Sequence, residues 1–150
     1  MQKLNLPEYS FRIKTTDCKD YIFDNLRKKF VRLTPEEWVR QNFVQFLITE
    51  KRYSVSLIKV EAGVNVNNNP QRADMVVFDR TGSPVLVAEF KAPEVKINQQ
   101  TFDHIVRYNM KLRVKFLIVS NGLEHFCCLI DYAGNTYSYL PEIPAFTEIL

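Results

Sequence analysis

Residues 72–91 read Arg72-Ala73-Asp74-Met75-Val76-Val77-Phe78-Asp79-Arg80-Thr81-Gly82-Ser83-Pro84-Val85-Leu86-Val87-Ala88-Glu89-Phe90-Lys91. Two apolar runs, 75–78 and 85–88, flank a segment with a glycine and a proline, the pattern of a β-hairpin. A symmetric loop, with Arg80 opposite Ser83 or Asp79 opposite Pro84, sets the register and puts Asp74 directly across from Glu89. Opposed residues of an antiparallel pair project from one face with Cβ atoms about 4.5–5.5 Å apart. Side chains alternate along a strand, so Lys91 joins Glu89 on that face and Phe90 points away.

Two carboxylates and an ammonium thus converge at one end of an apolar hairpin. Adjacent carboxylates repel unless a cation lies between them, which suits a divalent metal with oxygen ligands. The bland alternative is a solvated strand end where Glu89 and Lys91 form a surface pair. A metal held by Asp74 and Glu89 would polarise a phosphoryl oxygen and acidify a bound water, with Lys91 beside it to orient that water or stabilise charge on the phosphate. Hard oxygen ligands make Mg²⁺ the first expectation, with Mn²⁺ as a substitute.

The remaining sequence narrows the classes available. At 150 residues, 46% hydrophobic and 25% charged, the chain reads as one globular domain spanning residues 1–150. The formal net charge of +3 permits an anionic partner without demanding one. Cys18, Cys127 and Cys128 form no Cys-x-x-Cys pair, so they read as free thiols rather than a zinc site or disulfide framework. Neither a phosphate-binding loop nor a dinucleotide fingerprint can be assembled from Gly63, Gly82, Gly122 and Gly134. No signal peptide or membrane-length apolar run is present, which makes cytoplasmic the expected location.

In chain order, the mixed segment 1–33 reads as one or two short strands, with Arg27-Lys28-Lys29 as a solvated basic patch. Thr34-Pro35-Glu36-Glu37 starts a helix that runs to about Glu50. Thr34 serves as N-cap and Glu37 completes a capping box. Both glutamates are also favoured by the helix dipole. A strand follows at 55–61, then an asparagine-rich loop at 65–70 that leads into the hairpin. Beyond Lys91 the pattern predicts a helix near 98–112 capped by Asn98, a strand at 115–120, and a hairpin of 123–132 with 136–140. The tail from Pro141 reads as irregular cover. This order, β-α-β-β-β-α-β-β-β, implies an α/β or α+β layered fold.

Asp74, followed after a turn by Glu89-Phe90-Lys91, resembles the PD-(D/E)xK nuclease superfamily. Thr34-Pro35-Glu36-Glu37-Trp38-Val39-Arg40-Gln41, Arg72-Ala73-Asp74, Glu89-Phe90-Lys91-Ala92-Pro93, Arg107-Tyr108-Asn109 and Ser120-Asn121-Gly122 together resemble the N-terminal nuclease domain of type I restriction enzyme R subunits, in a short stand-alone version. The resemblance implies a restriction-endonuclease-like core, a central mixed β-sheet flanked by helices, and Mg²⁺-dependent hydrolysis of DNA phosphodiesters. It assigns Asp74 and Glu89 to the metal, Lys91 to catalysis, and a helical glutamate, Glu37 or its neighbour Glu36, to the same site. Ala73 replaces the proline of the superfamily name, and His104 stands where relatives carry glutamine. Arg72, Lys96 and Arg107 are candidate phosphate contacts. DNA and the motor or specificity subunits of a restriction system are the implied partners. The alternative is a non-cleaving nucleic-acid-binding module of nuclease fold that needs a partner subunit. His125 and the Cys127-Cys128 pair read as structural.

Overall fold

In the computed structural model, which describes residues 1–66 and 69–150, nine strands form two sheets. The first is small and antiparallel, with order β1 (Ile13–Thr16), β2 (Lys19–Asp24) and β3 (Lys29–Arg32). One or two strands were expected here, and three are present. Asp17 and Cys18 adopt φ of 53° and 62° between β1 and β2, which lets a two-residue turn close this hairpin without glycine. The alternation that locks the sheet down is carried by Ile22, which is fully buried between the exposed Ile13 on β1 and the half-buried Val31 on β3.

Helix α1 (Pro35–Thr49) follows, with Val39, Phe43 and Leu47 fully buried along one stripe. A single 3₁₀ turn at Val55–Leu57 replaces the start of the expected strand, and β4 runs Ile58–Val66. Strand β5 (Asn69–Phe78) pairs antiparallel with β4, and β6 (Pro84–Phe90) pairs antiparallel with β5. The expected loop at 65–70 is therefore shorter: residues 65, 66, 69 and 70 continue the β4–β5 ladder, while Asn67 and Asn68 lie outside the described residues. Helix α2 (Gln99–Asn109) and a 3₁₀ turn at Met110–Leu112 carry the chain across to β7 (Phe116–Ser120), which lies parallel to β6. Strands β8 (His125–Asp131) and β9 (Thr136–Tyr139) complete a mixed six-stranded sheet in sequential order. A crossover helix is what a parallel neighbour requires, because a tight turn can only reverse the chain. The tail is not wholly irregular, since it ends in a short helix, α3 (Phe146–Ile149).

The six-stranded sheet separates two apolar layers. On one side Met75, Val77, Leu86, Ala88, Phe90 and Ile118 pack with Val39, Phe43 and Leu47 of α1. On the other, Val76, Val87, Leu117, Val119 and Cys128 pack with Phe102, Ile105 and Val106 of α2. Strand β7 is buried over its whole length, consistent with a central strand covered on both faces. Among the described residues no helix is long and apolar enough to cross a membrane.

The expected hairpin register holds at its centre and fails at the loop, and the expected Asp74–Glu89 pair is not among the paired residues. Met75–Ala88, Val76–Val87 and Val77–Leu86 are paired as predicted, but Phe78 pairs with Pro84 and the register shifts at Val77/Phe78. The cause is Asp79. Its carboxylate accepts the backbone N–H groups of Thr81 (2.9 Å) and Ser83 (3.0 Å) and the Thr81 hydroxyl (2.6 Å). Gly82 turns there at φ +87°. That tightened loop pairs Asp79 with Ser83, whose carbonyl accepts its N–H at 2.8 Å, and a bulge absorbs the difference.

A second turn ties distant segments together. Asn121 accepts from the N–H groups of Leu123 (3.0 Å) and Glu124 (2.8 Å) and donates to the Val95 carbonyl at 2.8 Å. The Gly122 carbonyl accepts the Asn5 N–H at 2.8 Å. Gly122 has φ +87°, and a Cβ added there would lie 2.7 Å from Leu4 Cδ2 and 3.1 Å from Val39 Cγ2. Gly82 shares that φ but faces open space. Gly82→Ala should therefore cost only backbone strain, about 1–2 kcal/mol. Gly122→Ala should cost at least about 1 kcal/mol more through overpacking, measured as the difference between their urea midpoints.

Candidate functional site

Helix α1 opens with Thr34, whose hydroxyl accepts the Glu37 N–H at 3.1 Å. The other half of the expected capping box is absent, because the Glu37 side chain turns elsewhere. Its carboxylate accepts from Arg27 Nη2 at 2.9 and 3.0 Å, from Gln41 Nε2 at 3.0 Å, and from Arg40. Arg27, expected in a solvated patch, is thus drawn inward, where it also pairs with the buried Asp24. Arg40 continues to Glu61 on β4, and Glu61 accepts Arg72 Nε at 2.7 Å. Six charges of alternating sign, Asp24, Arg27, Glu37, Arg40, Glu61 and Arg72, therefore run from the small sheet over α1 to β4 and β5. Burial opposes ionisation of Glu61, but the bonds from Arg40 and then Arg72 outweigh it and hold this carboxyl below its ordinary range.

Glu61 also marks an interruption in the sheet. It has φ +51°, and the β4–β5 ladder passes from Val60–Met75 to Ala62–Ala73 without pairing Glu61 or Asp74. Met75 belongs to the α1-side layer whereas Ala73 packs in the α2-side layer. The strands thus change face across these two acidic residues. Asp74 comes just beyond the last β5–β6 rung, and its Oδ2 accepts the Phe90 N–H at 2.8 Å. A side-chain oxygen replaces the backbone carbonyl that a continued ladder would have supplied.

Asp74 lines a cleft of about 450 Å³ with Glu37, Arg40, Glu61 and Arg72, and with Arg27 and Arg32 at its mouth. Burial pushes the Asp74 carboxyl above its ordinary value; the Phe90 N–H opposes this, and the nearby Glu89 charge adds to it. Glu89, at the end of β6, accepts from Lys91 Nζ at 3.3 Å and from Asn109 Nδ2 of α2 at 3.4 Å. Both contacts are long for charge-assisted bonds.

Asp74, Glu89 and Lys91 thus stand at one end of the hairpin; Glu37 and Arg72 border the cleft with Asp74, whereas Glu89 and Lys91 do not line it. Glu36 is exposed at the cleft wall. Lys96, in the loop before α2, and Arg107, on its outer face, are exposed and do not line the cleft. His104 is likewise exposed. His125 is structural: its ring nitrogens bond the Ser120 hydroxyl at 2.7 Å and the Asn5 carbonyl at 2.8 Å. Burial raises the Cys127 and Cys128 thiols to about 12, which removes them as nucleophiles at neutral pH.

Sequence reasoning missed Arg40, Glu61 and Asn109. Asn109 had a signal, a polar residue inside the stripe Phe102, Ile105, Val106, Leu112. Glu37, Arg40 and Gln41 share the i, i+3, i+4 spacing of helix neighbours. Glu61 had none.

The donor set suits a hydrated divalent cation. Asp74 has only one of its oxygens in a hydrogen bond, and Glu89 is weakly engaged. Among the described residues no group of three or more His, Cys, Asp or Glu side chains is arranged to hold a metal. A cation here would therefore take two carboxylates and complete its shell with water, a mode that suits Mg²⁺.

Comparison with known proteins bears on the same region. The family described as type I restriction enzyme R protein N terminus (HSDR_N) matches residues 35–144. Among solved structures, a fragment assigned as the HsdR subunit of a type I restriction enzyme from Vibrio vulnificus YJ016 matches with a TM-score of 0.54 at 20% identity. The match covers 78% of this chain and 24% of that one, so the chain spans about a quarter of that structure's length. At this identity the likeness concerns the fold. No curated protein sequence matches.

Two outcomes follow from the electrostatics. A raised Asp74 carboxyl favours the folded state only below its ordinary value of 3.8 and penalises it as pH rises through the folded value. In EDTA, Asp74→Asn should therefore raise the urea midpoint at pH 7, and this gain should vanish by about pH 3. Arg40→Ala should instead cost about 1.5–3 kcal/mol, because it removes one of the two arginines that meet the buried Glu37 and the half-buried Glu61; equilibrium unfolding at pH 7 measures both.

Proposed function

Since the chain belongs to the family of type I restriction enzyme R protein N termini, we propose that it is a Mg²⁺-dependent deoxyribonuclease domain that hydrolyses DNA phosphodiesters. The observation that carries this reading is the pair Asp74 and Glu89. One is a half-buried carboxyl raised by its surroundings, the other a nearby carboxylate with weak partners, and among the described residues no cation is bonded to Asp74. Charge left uncompensated in this way costs stability, and such sites are characteristically functional.

In this reading Asp74 and Glu89 hold Mg²⁺, or Mn²⁺ in its place. When bound, the cation polarises the scissile phosphoryl group and acidifies a water. Lys91, whose ammonium lies 3.3 Å from Glu89, donates to a non-bridging phosphate oxygen and stabilises the charge that accumulates there. Asn109 holds the second Glu89 oxygen and restricts its rotamer. Glu37 acts as a positioning residue: with its carboxylate engaged by Arg27, Arg40 and Gln41, it holds Arg40 and, through it, Glu61 at the wall of the cleft. Arg72, mostly exposed at the cleft rim, is placed to contact a phosphate, as Lys96 and Arg107 are from outside the cleft. The motor and specificity subunits of a restriction system are the proposed partners.

The test is plasmid cleavage by the purified protein with Mg²⁺ or Mn²⁺. Asp74→Ala and Lys91→Ala should each lower the rate at least a hundredfold. Cleavage that survives both substitutions would sink the assignment. Absence of cleavage with salt-sensitive DNA binding would instead favour the non-cleaving module that needs a partner.

A further inference from the structure

The small sheet β1–β3 precedes the segment 35–144 that matches the family, and its outer face has a composition of its own. Register fixes which side chains share that face. Lys14, Tyr21 and Arg32 are directly opposed across the three strands, and Phe23 pairs with Phe30 two residues along on the same face. Arg12 adjoins that rung, its carbonyl accepting the Phe23 N–H at 2.8 Å. Lys19, opposite Thr16, extends the face toward the β1–β2 turn. Asp20, Ile22 and Asp24 alternate to the other side, where Ile22 and Asp24 are buried. Four cations and three aromatic rings thus share one strand face with no carboxylate among them.

The cations lie against the rings. The Arg12 guanidinium is 4.7 Å from the Phe23 centroid and 5.5 Å from that of Phe30, and Lys14 Nζ is 4.2 Å from the Phe30 centroid. Arg12, Lys14, Lys19 and Arg32 are exposed, and Tyr21, Phe23 and Phe30 are half-buried. At the far edge Arg32 also lines the cleft that contains Asp74.

We propose that this outer face is a platform for single-stranded nucleic acid that leads across Arg32 into the Asp74 cleft. Aromatic rings and flat guanidinium groups stack on unpaired bases, which a duplex keeps inside its own stack, while the interleaved cations follow the phosphates. The inference deepens the nuclease reading by assigning the approach of the substrate, and it is tested by binding without metal.

Fluorescence anisotropy of a labelled oligothymidylate of about 15 nucleotides, with the full chain in EDTA, supplies the measurement. Binding should weaken steeply with salt, and Lys14→Glu with Arg32→Glu should lower affinity at least tenfold. Tyr21→Ala should lower it about tenfold through lost stacking, and Arg80→Glu, in the exposed β5–β6 loop, should leave it unchanged. Should Tyr21→Ala fail to fold, the unaltered sequence supplies a second test. Cys18 is exposed in the turn beside Lys19 whereas Cys127 and Cys128 are buried, so a photoreactive maleimide on Cys18 should cross-link to the oligonucleotide. Wild-type affinity in the charge-reversed variant, absence of the Cys18 cross-link, or a duplex of equal length competing better than the single strand would each overturn the proposal. Asp74→Ala should retain oligonucleotide binding, and an unaltered chain that binds the oligonucleotide but cleaves nothing would count against the catalytic reading and leave the platform standing.

Discussion

The carboxylate of Glu37 is the point at which three parts of this protein meet. It is buried in the first turn of α1, takes Arg27 from the β2–β3 turn, and holds Arg40 toward Glu61 on β4. A buried carboxylate without such partners would carry a desolvation penalty of several kcal/mol. Here the partners come from separate elements, so satisfying the charge also docks the small sheet against the helix and the helix against the rim of the large sheet. No buried side-chain nitrogen or oxygen among the described residues lacks a hydrogen-bond partner. The network thus satisfies its members, the condition under which a buried polar cluster specifies one arrangement.

The same network sets the contrast that makes Asp74 distinctive. Glu37 and Glu61 are each met by two arginines, whereas Asp74, in the same cleft, receives a single backbone N–H and is pushed up further by the Glu89 charge. Regular pairing is broken on both sides of it: the β4–β5 ladder skips Glu61 and resumes at Ala62–Ala73, and the β5–β6 ladder ends at Met75–Ala88. Sheet irregularities of this kind re-aim side chains and often border active sites. The protein therefore places one poorly compensated carboxyl among well-compensated ones, which concentrates electrostatic strain where a cation would relieve it.

Much of this arrangement was legible from local pattern. The apolar runs and turn residues of 72–91 predicted the hairpin, and its central register proved correct even though the loop did not. Two opposite errors cancelled, a tighter Asp79 turn and the bulge at Val77/Phe78. Thr34 and Asn98 announced both long helices, because capping is a contact across only three residues. The small sheet was harder to read, since β1 is exposed throughout and offers no hydrophobic alternation of its own.

By itself, then, the sequence determined the order of elements from α1 onward and the proximity of Asp74, Glu89 and Lys91, since these follow from periods of two and 3.6 and from turns closed by neighbouring residues. Only the tertiary structure decided how each carboxyl is compensated. Arg27, Glu37, Glu61 and Arg72 are far apart in the chain, and no local periodicity relates them. Their pairing exists because helix packing and an irregular sheet edge bring them to one cleft. For that reason Glu37, which sequence placed in a capping box, is held by arginines, while the Asp74 carboxylate in the same cleft is met by a single backbone N–H.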